Sequence, residues 1–293
     1  MKVGVVVVNR NDGYKDFERG LIHFKSMIDT FDEISYIDWN SPEGSFLWEV
    51  QDKLPATGKI KHFIIPPDIV EMLIPSDGQK CNEGLSRNIG IRRSEAEWIV
   101  STNIDIIPPK REDLLKLIEG LDENTFYTVS RREAPKEVVY KHGHENWEAL
   151  RDELYSTVPE RHFPAKVTHS DKYSLINCCG DFQLAHRNVW NKVRGFEEQM
   201  YYACFVDTNV QKKAVLNDFK LEAIYQPPLF HMEHGAYYTK EDGTRVADKE
   251  NKGAFQGDQK AYNDVYKWVD EFIETKNDFD WGLGNVSIEF ETF

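Results

Sequence analysis

The first apolar run, VGVVVV at residues 3–8, is almost entirely β-branched and does not alternate with polar residues. That pattern predicts a strand buried on both faces, as in a parallel sheet. Polar NRNDGY follows as a loop. Phe17, Leu21, Phe24, Met27 and Ile28 then recur at helical spacing within residues 15–30. EISYIDW predicts a second strand, ended by the turn residues NSPEG. Residues 45–54 suit a short helix and KHFIIP a third strand. CNEGLSRNIGIRRSEA predicts a helix ending near Ala96, and EWIVST (97–102) a fourth strand stopping at Asn103. PPKREDLLKLIEGL opens a helix with Pro ahead of it and acidic residues in its first turn. FYTVSRR is a fifth strand.

Strands alternating with helices over residues 1–130 predict an α/β fold with a mostly parallel sheet and helices on both faces. Ligands of such sheets sit outside the carboxyl ends of the strands. The polar clusters Asn9–Gly13, Asp38–Ser41 and Asn103–Asp105 each follow an apolar strand directly, so they should meet there. Residues 133–176 are polar and weakly periodic, with a helix expected at ENWEALRDELY and a long excursion around it. Order returns in 177–230, with a helix near 206–217 and strand-like LEAIYQ. Residues 236–293 hold a charged loop, a helix at about 257–275 and a tail. There is no internal repeat or low-complexity tract.

Charge narrows the partners. The 293 residues carry a formal net charge of −14. An acidic chain gains little from the counterion release that drives nucleic-acid binding, so DNA, RNA and anionic membranes are not expected partners. A phosphate-bearing ligand stays compatible if a cation or a few arginines make the site locally positive. No apolar run approaches the roughly 20 residues of a membrane span, and the N-terminal run is too short for a signal peptide. Cys81, Cys178, Cys179 and Cys204 lack zinc spacing. Reduced thiols in a cytoplasmic protein are the expectation.

Four segments, in order, resemble the GT-A-type glycosyltransferases, most closely the inverting family 2 and its relatives. They are VVVVNRND, LSRNIGIRRSEAEWIVSTNID, CCGDFQLAHRNVWNKVRGFEE and FVD, followed by the His-containing PLFHMEHG. The resemblance implies a Rossmann-like GT-A domain over residues 1–235, with a nucleotide-binding half (1–130) and an acceptor and catalytic half (131–235). The loop, helix and tail of 236–293 would pack on the same domain as a smaller acceptor-side subregion. It implies transfer of a sugar from a nucleotide-sugar, UDP favoured, to a glycan or other hydroxyl acceptor. Asn9, Asn11, Asp12 and Asp38 would hold base and ribose, Arg87 the phosphate side, and Asp181 the donor sugar. Asn103 and Asp105 would stand for the family's Asp-x-Asp. Asp105 with His231 or His234 would hold Mn²⁺ or Mg²⁺, and Asp207 would be the base of an inverting reaction.

Asn103 departs from the pattern and leaves one carboxylate on that loop for a cation. It favours a rival reading, a nucleotide-sugar or glycan-binding module without turnover. A nucleotidyltransferase would need a Gly-rich basic loop after the first strand, which NRNDGY lacks. Ordinary explanations also exist: Asn103 and Asp105 as turn residues, and Asp207 as an N-cap.

Overall fold

The computed structural model describes residues 1–11, 16–42, 44–73, 81–158, 166–169, 174–177, 180–200, 206–232, 237–239, 245–247 and 277–293. Asp12, His234, Cys178, Cys179, Cys204 and the helix expected at 257–275 lie outside the described residues.

In chain order, β1 (Val3–Asn9), α1 (Phe17–Thr30), β2 (Glu33–Trp39), α2 (Phe46–Val50), β3 (Ile60–Ile65), α3 (Pro67–Leu73), α4 (Glu83–Arg93) and β4 (Trp98–Thr102) form the first half. There follow β5 (Ile106–Ile107), α5 (Arg111–Ile118), β6 (Thr125–Ala134), α6 (Lys136–His142), α7 (Trp147–Thr157), β7 (Lys166–His169) and β8 (Ser174–Asn177). The remainder comprises β9 (Phe182–His186), α8 (Arg187–Val193), α9 (Val206–Leu216), β10 (Lys220–Met232), β11 (Tyr237–Thr239), β12 (Arg245–Ala247) and β13 (Phe290–Thr292).

The main sheet runs β13-β3-β2-β1-β4-β9-β6-β10-β5. β3, β2, β1 and β4 are mutually parallel, as are β6 and β10. β9 is antiparallel to both β4 and β6, joining the two parallel blocks. The expected parallel core is therefore present, with one reversed strand at its centre.

Side-chain alternation along β1 splits the core into two layers. Val3, Val5 and Val7 pack with Leu21, Phe24 and Met27 of α1, while Val6 packs with Leu85 and Ile89 of α4. Each fully buried Val or Leu contributes roughly 1.5–3 kcal/mol of transfer free energy. α4 lies close on the sheet because position 90 is glycine: a Cβ there would come 2.6 Å from Val6 Cγ1. Caps set the helix starts. Asp16 accepts from the Arg19 N–H ahead of α1, and Asn82 from the Leu85 N–H ahead of α4. α4 stops at Arg93 rather than near Ala96, because the Glu95 N–H turns to the Glu33 carboxylate. The excursion after β6 holds α6 as well as the expected α7. The tail returns to the sheet, β13 pairing antiparallel with β3.

Candidate active site

β1 is flanked by β2 and β4, so the chain leaves the sheet in opposite directions at their carboxyl ends. This is the crevice in which open α/β sheets bind ligands. The described residues of the three polar clusters read from the sequence, Asn9–Asn11, Asp38–Ser41 and Asn103–Asp105, end or follow the strands at this edge. Asn9 Nδ2 donates to Tyr36 Oη at 3.0 Å. The Asn11 N–H donates to Ser41 Oγ at 2.8 Å, and its side-chain amide to Gly44 O at 3.0 Å. Asn11 thus ties the first loop to the second. Asp38 is 2% exposed and accepts from the Ser41 N–H through Oδ1. Its Oδ2 is buried with no hydrogen-bond partner among the described residues. A carboxylate oxygen in that condition is costly unless something donates to it.

The second cluster forms where β4, β9 and α9 end or begin. Gly180, Asp181, Gln183, Asp207, Glu83, Arg87, Asn103, Phe196 and Val206 surround a cavity of about 240 Å³. Arg87 comes from α4 and is nearly buried. Its guanidinium donates to Ser101 Oγ (2.8 Å), Thr102 O (3.1 Å) and Asn103 Oδ1 (2.6 Å). Asn103 Nδ2 donates to Asp181 Oδ1 at 2.7 Å, and Arg131 donates to Asp181 Oδ2. Asp207, in the first turn of α9, is half-buried in the cavity wall. Burial pushes its carboxyl up to about 6, helped by repulsion from Asp181 and Glu83 and opposed by the Thr208 N–H. Position 180 must be glycine for this packing, since a Cβ would lie 2.2 Å from Asp207 Cβ.

The third cluster holds Asp105. The short strand β5 pairs with β10 so that His231 stands opposite Ile106, and Asp105 O accepts from the Met232 N–H at 2.8 Å. His231 therefore meets Asp105: Nε2 is 3.3 Å from Asp105 Oδ2, and Nδ1 is 2.6 Å from Glu133 Oε2. Burial works against an imidazolium here. The hydrogen bonds to Asp105 and Glu133 outweigh it and lift His231 to about 9.

A divalent cation would enter here only by displacing the Nε2 proton of this imidazolium, after which Asp105 and the neutral imidazole are its two protein donors. With that proton gone, Glu133 on Nδ1 would hold the neutral imidazole with Nε2 facing Asp105, as carboxylates orient histidine ligands. Among the described residues no three His, Cys, Asp or Glu side chains form a group able to hold an ion. Asp105 and His231 would thus need phosphate oxygens and water to complete a shell, which suits Mg²⁺ or Mn²⁺.

Asp105 and His231 do not line the cavity that Asp207 lines; the two places are linked through side chains. A chain of contacts runs Asp105–His231–Glu133–Arg131–Asp181–Asn103–Arg87, and Asp181 lines the cavity that Asp207 lines. Arg131, Glu133 and Glu83 are not singled out by the sequence. The available signal was position: residues 131 and 133 fall on one side of β6, at the end that reaches the ligand edge. His142 and His144 pair with different carboxylates, Glu153 and Glu18, at 2.6 and 2.8 Å, and take no part in the site. Trp190 and Trp281 are core residues.

No family model and no curated protein sequence matches the chain. Solved structures do. S. aureus TarS overlays with a TM-score of 0.51 at 14% identity, over 95% of this chain and 41% of that one. The structure of its residues 1–349 in complex with UDP overlays with a TM-score of 0.50 at 12% identity, over 95% of this chain and 67% of that one. The chain thus spans less than half the length of the longer TarS structure. The fold is that of the GT-A-type glycosyltransferases. Among the described residues no helix is long and apolar enough to cross a membrane.

Proposed function

We propose that this chain is a glycosyltransferase that moves a sugar from a nucleoside diphosphate donor to an acceptor hydroxyl, inverting the anomeric centre with Asp207 as general base. One observation carries the reading: Asp207, with its carboxyl raised to about 6, shares a cavity with Arg87, Asn103 and Asp181 at the ligand edge of the sheet.

The chemistry follows from these groups. Base and ribose would lie against the Asn9–Asn11 loop, where Asp38 Oδ2 accepts a ligand N–H or O–H. Asp181 and Arg87 line the wall beside the sugar and orient it. The acceptor hydroxyl is a weak nucleophile until its proton has somewhere to go. A carboxylate near 6 is ionised at neutral pH, yet more basic than an ordinary aspartate, which suits a general base. In-line attack from the Asp207 side breaks the bond from the anomeric carbon to the phosphate oxygen and inverts the centre. Asp105 and His231 would hold a divalent cation, which when bound offsets the negative charge gathering on the departing diphosphate. UDP is the favoured nucleotide, supported by the UDP-bound structure that shares the fold.

A second reading, a donor-binding module without turnover, draws on Asn103: both ends of its amide are taken up by protein groups. Release of UDP from a panel of UDP-sugars with Mn²⁺ decides between them. The transferase reading expects UDP release that Asp207→Asn abolishes while UDP still binds. UDP binding with no release from any donor would establish the module instead.

A further inference from the structure

Asn103 stands where the resembled family carries an acidic residue, and the directions of its hydrogen bonds say why an amide is present. Oδ1 accepts from Arg87 at 2.6 Å, and Nδ2 donates to Asp181 Oδ1 at 2.7 Å. Asp181 is 6% exposed; its other carboxylate oxygen accepts from Arg131, and its carbonyl accepts from Thr102 Oγ1 at 2.5 Å. Donor and acceptor thus alternate without fault along Arg87, Asn103, Asp181 and Arg131. A side chain at 103 must accept on one end and donate on the other, and an ionised carboxylate only accepts. An aspartate there would keep Arg87 but set two carboxylate oxygens face to face at hydrogen-bond distance.

We propose that Asn103 is a positioning residue that, through Asp181, sets where Asp207 stands. The mechanical link is short. Asp181 follows Gly180, and Gly180 packs so tightly on Asp207 that it has no room for a Cβ. Shifting Asp181 moves Gly180, and Gly180 is the surface on which Asp207 rests. The inference builds on the transferase reading of the cavity, and adds that Asn103 serves the base by holding the wall rather than by touching donor or acceptor.

The test exchanges amide and carboxylate across the bridge in the full chain. Asn103→Asp creates an acceptor–acceptor conflict with Asp181. Asp181→Asn creates a donor–donor conflict, because one amide oxygen cannot serve both Asn103 and Arg131. In the double variant, the carboxylate at position 103 accepts from Arg87 and from the amide now at position 181, whose oxygen accepts from Arg131. Every bond regains a donor and an acceptor, and the net charge is unchanged. Each single variant is expected to slow UDP release from a UDP-sugar by about tenfold or more, with a smaller change in UDP affinity and a lower Tm. The double variant is expected to recover most of the rate and the Tm. If the wild type releases UDP and the double variant is no faster than the slower single, the bridge role is wrong. If the wild type releases no UDP, the transferase reading fails by itself. The bridge then stands or falls on melting, where additive losses in the double variant would overturn it.

Discussion

Asp207→Asn perturbs the proposed base alone, since it removes a charge and preserves shape. Burial in the cavity wall, with Asp181 and Glu83 nearby, lifts the carboxyl from the 3.8 of a free aspartate to about 6. At pH 7 such a group is roughly nine-tenths ionised, and every tenfold gain in proton affinity corresponds to about 1.4 kcal/mol. The consequences for rate and for stability have opposite signs. For catalysis, a base works only when deprotonated, so the rate should be flat above about pH 7, half-maximal near pH 6 and fall about tenfold per pH unit below about pH 5. The Asn variant should lose about 10²–10⁴ of the rate and keep UDP affinity. For stability, the native state binds this proton more tightly than the unfolded chain. The group's contribution is thus most favourable below about pH 4 and is lost as pH rises through about 6. At neutral pH the charge costs at most about 3 kcal/mol, so Asp207→Asn should melt several degrees higher than wild type. UDP release followed from about pH 4.5 to 8, calorimetric UDP titration and thermal melting read all three. UDP affinity lost by the same factor as rate, or an acid limb near pH 6 that survives in the Asn variant, would refute the assignment.

Gly180→Ala drives a methyl into Asp207 Cβ at 2.2 Å, so the rate should drop by about 10²-fold with UDP affinity held; an unchanged rate would show that Asp207 has freedom to move without consequence. Asp105→Ala and His231→Ala should each weaken Mn²⁺-dependent UDP binding by tenfold or more, and Glu133→Ala, which acts through the imidazole, by about 10–100-fold in metal affinity at most; calorimetry that finds the same affinity in all of them would remove the cation from this place. Gly90→Ala, far from this chemistry, should lower stability by about 1–3 kcal/mol, because its Cβ meets Val6 Cγ1 at 2.6 Å in a packed core; an unaltered Tm would mean that α4 backs off the sheet at no cost.

The parts of the fold legible in the sequence are those whose order is local. β1, α1, β2, β3 and β4 each announce themselves by a period of burial and a turn residue at the end, and each is present. β9 cannot be read in this way: FQLAH is five residues long, and its reversed placement between β4 and β6 depends on partners about 80 and 55 residues away. The strand-like run read from the sequence is LEAIYQ, which stops at Gln226 ahead of Pro227 and Pro228, residues with no N–H to donate to a ladder. The strand nevertheless runs on to Met232, with its register against β6 shifting between Ile224 and Leu229 to absorb the prolines. That continuation is what carries His231 to Asp105. The site shows the same division. Asp38, Asn103, Asp105 and Asp207 stand out as polar residues breaking apolar runs, but Arg131 and Glu133 look like ordinary charges at a strand end. Glu133 gains His231 through the pairing of β6 with β10, and Arg131 gains Asp181 from the chain just ahead of β9.

Those partners bear on what the donor must bring. The arginines at the ligand edge are already engaged: Arg131 with Asp181 and Glu133, and Arg87 with Asn103 and, at 3.7 Å, Glu83. His231 is held between Asp105 and Glu133. Among the residues named at this edge, the carboxylates Asp38, Glu83, Asp105, Glu133, Asp181 and Asp207 outnumber the cations Arg87, Arg131 and His231, in a chain whose net charge is −14. A diphosphate adds two or more negative charges, and burying charge without compensation costs several kcal/mol per ion. Taking cations from the network would uncover Asp181 or Glu133 and move the cost rather than remove it. Under the proposed function, a donor that arrives with a divalent cation carries its own compensation, and Asp105 with His231, once its Nε2 proton is displaced, would receive that ion without dismantling the wall that holds Asp207.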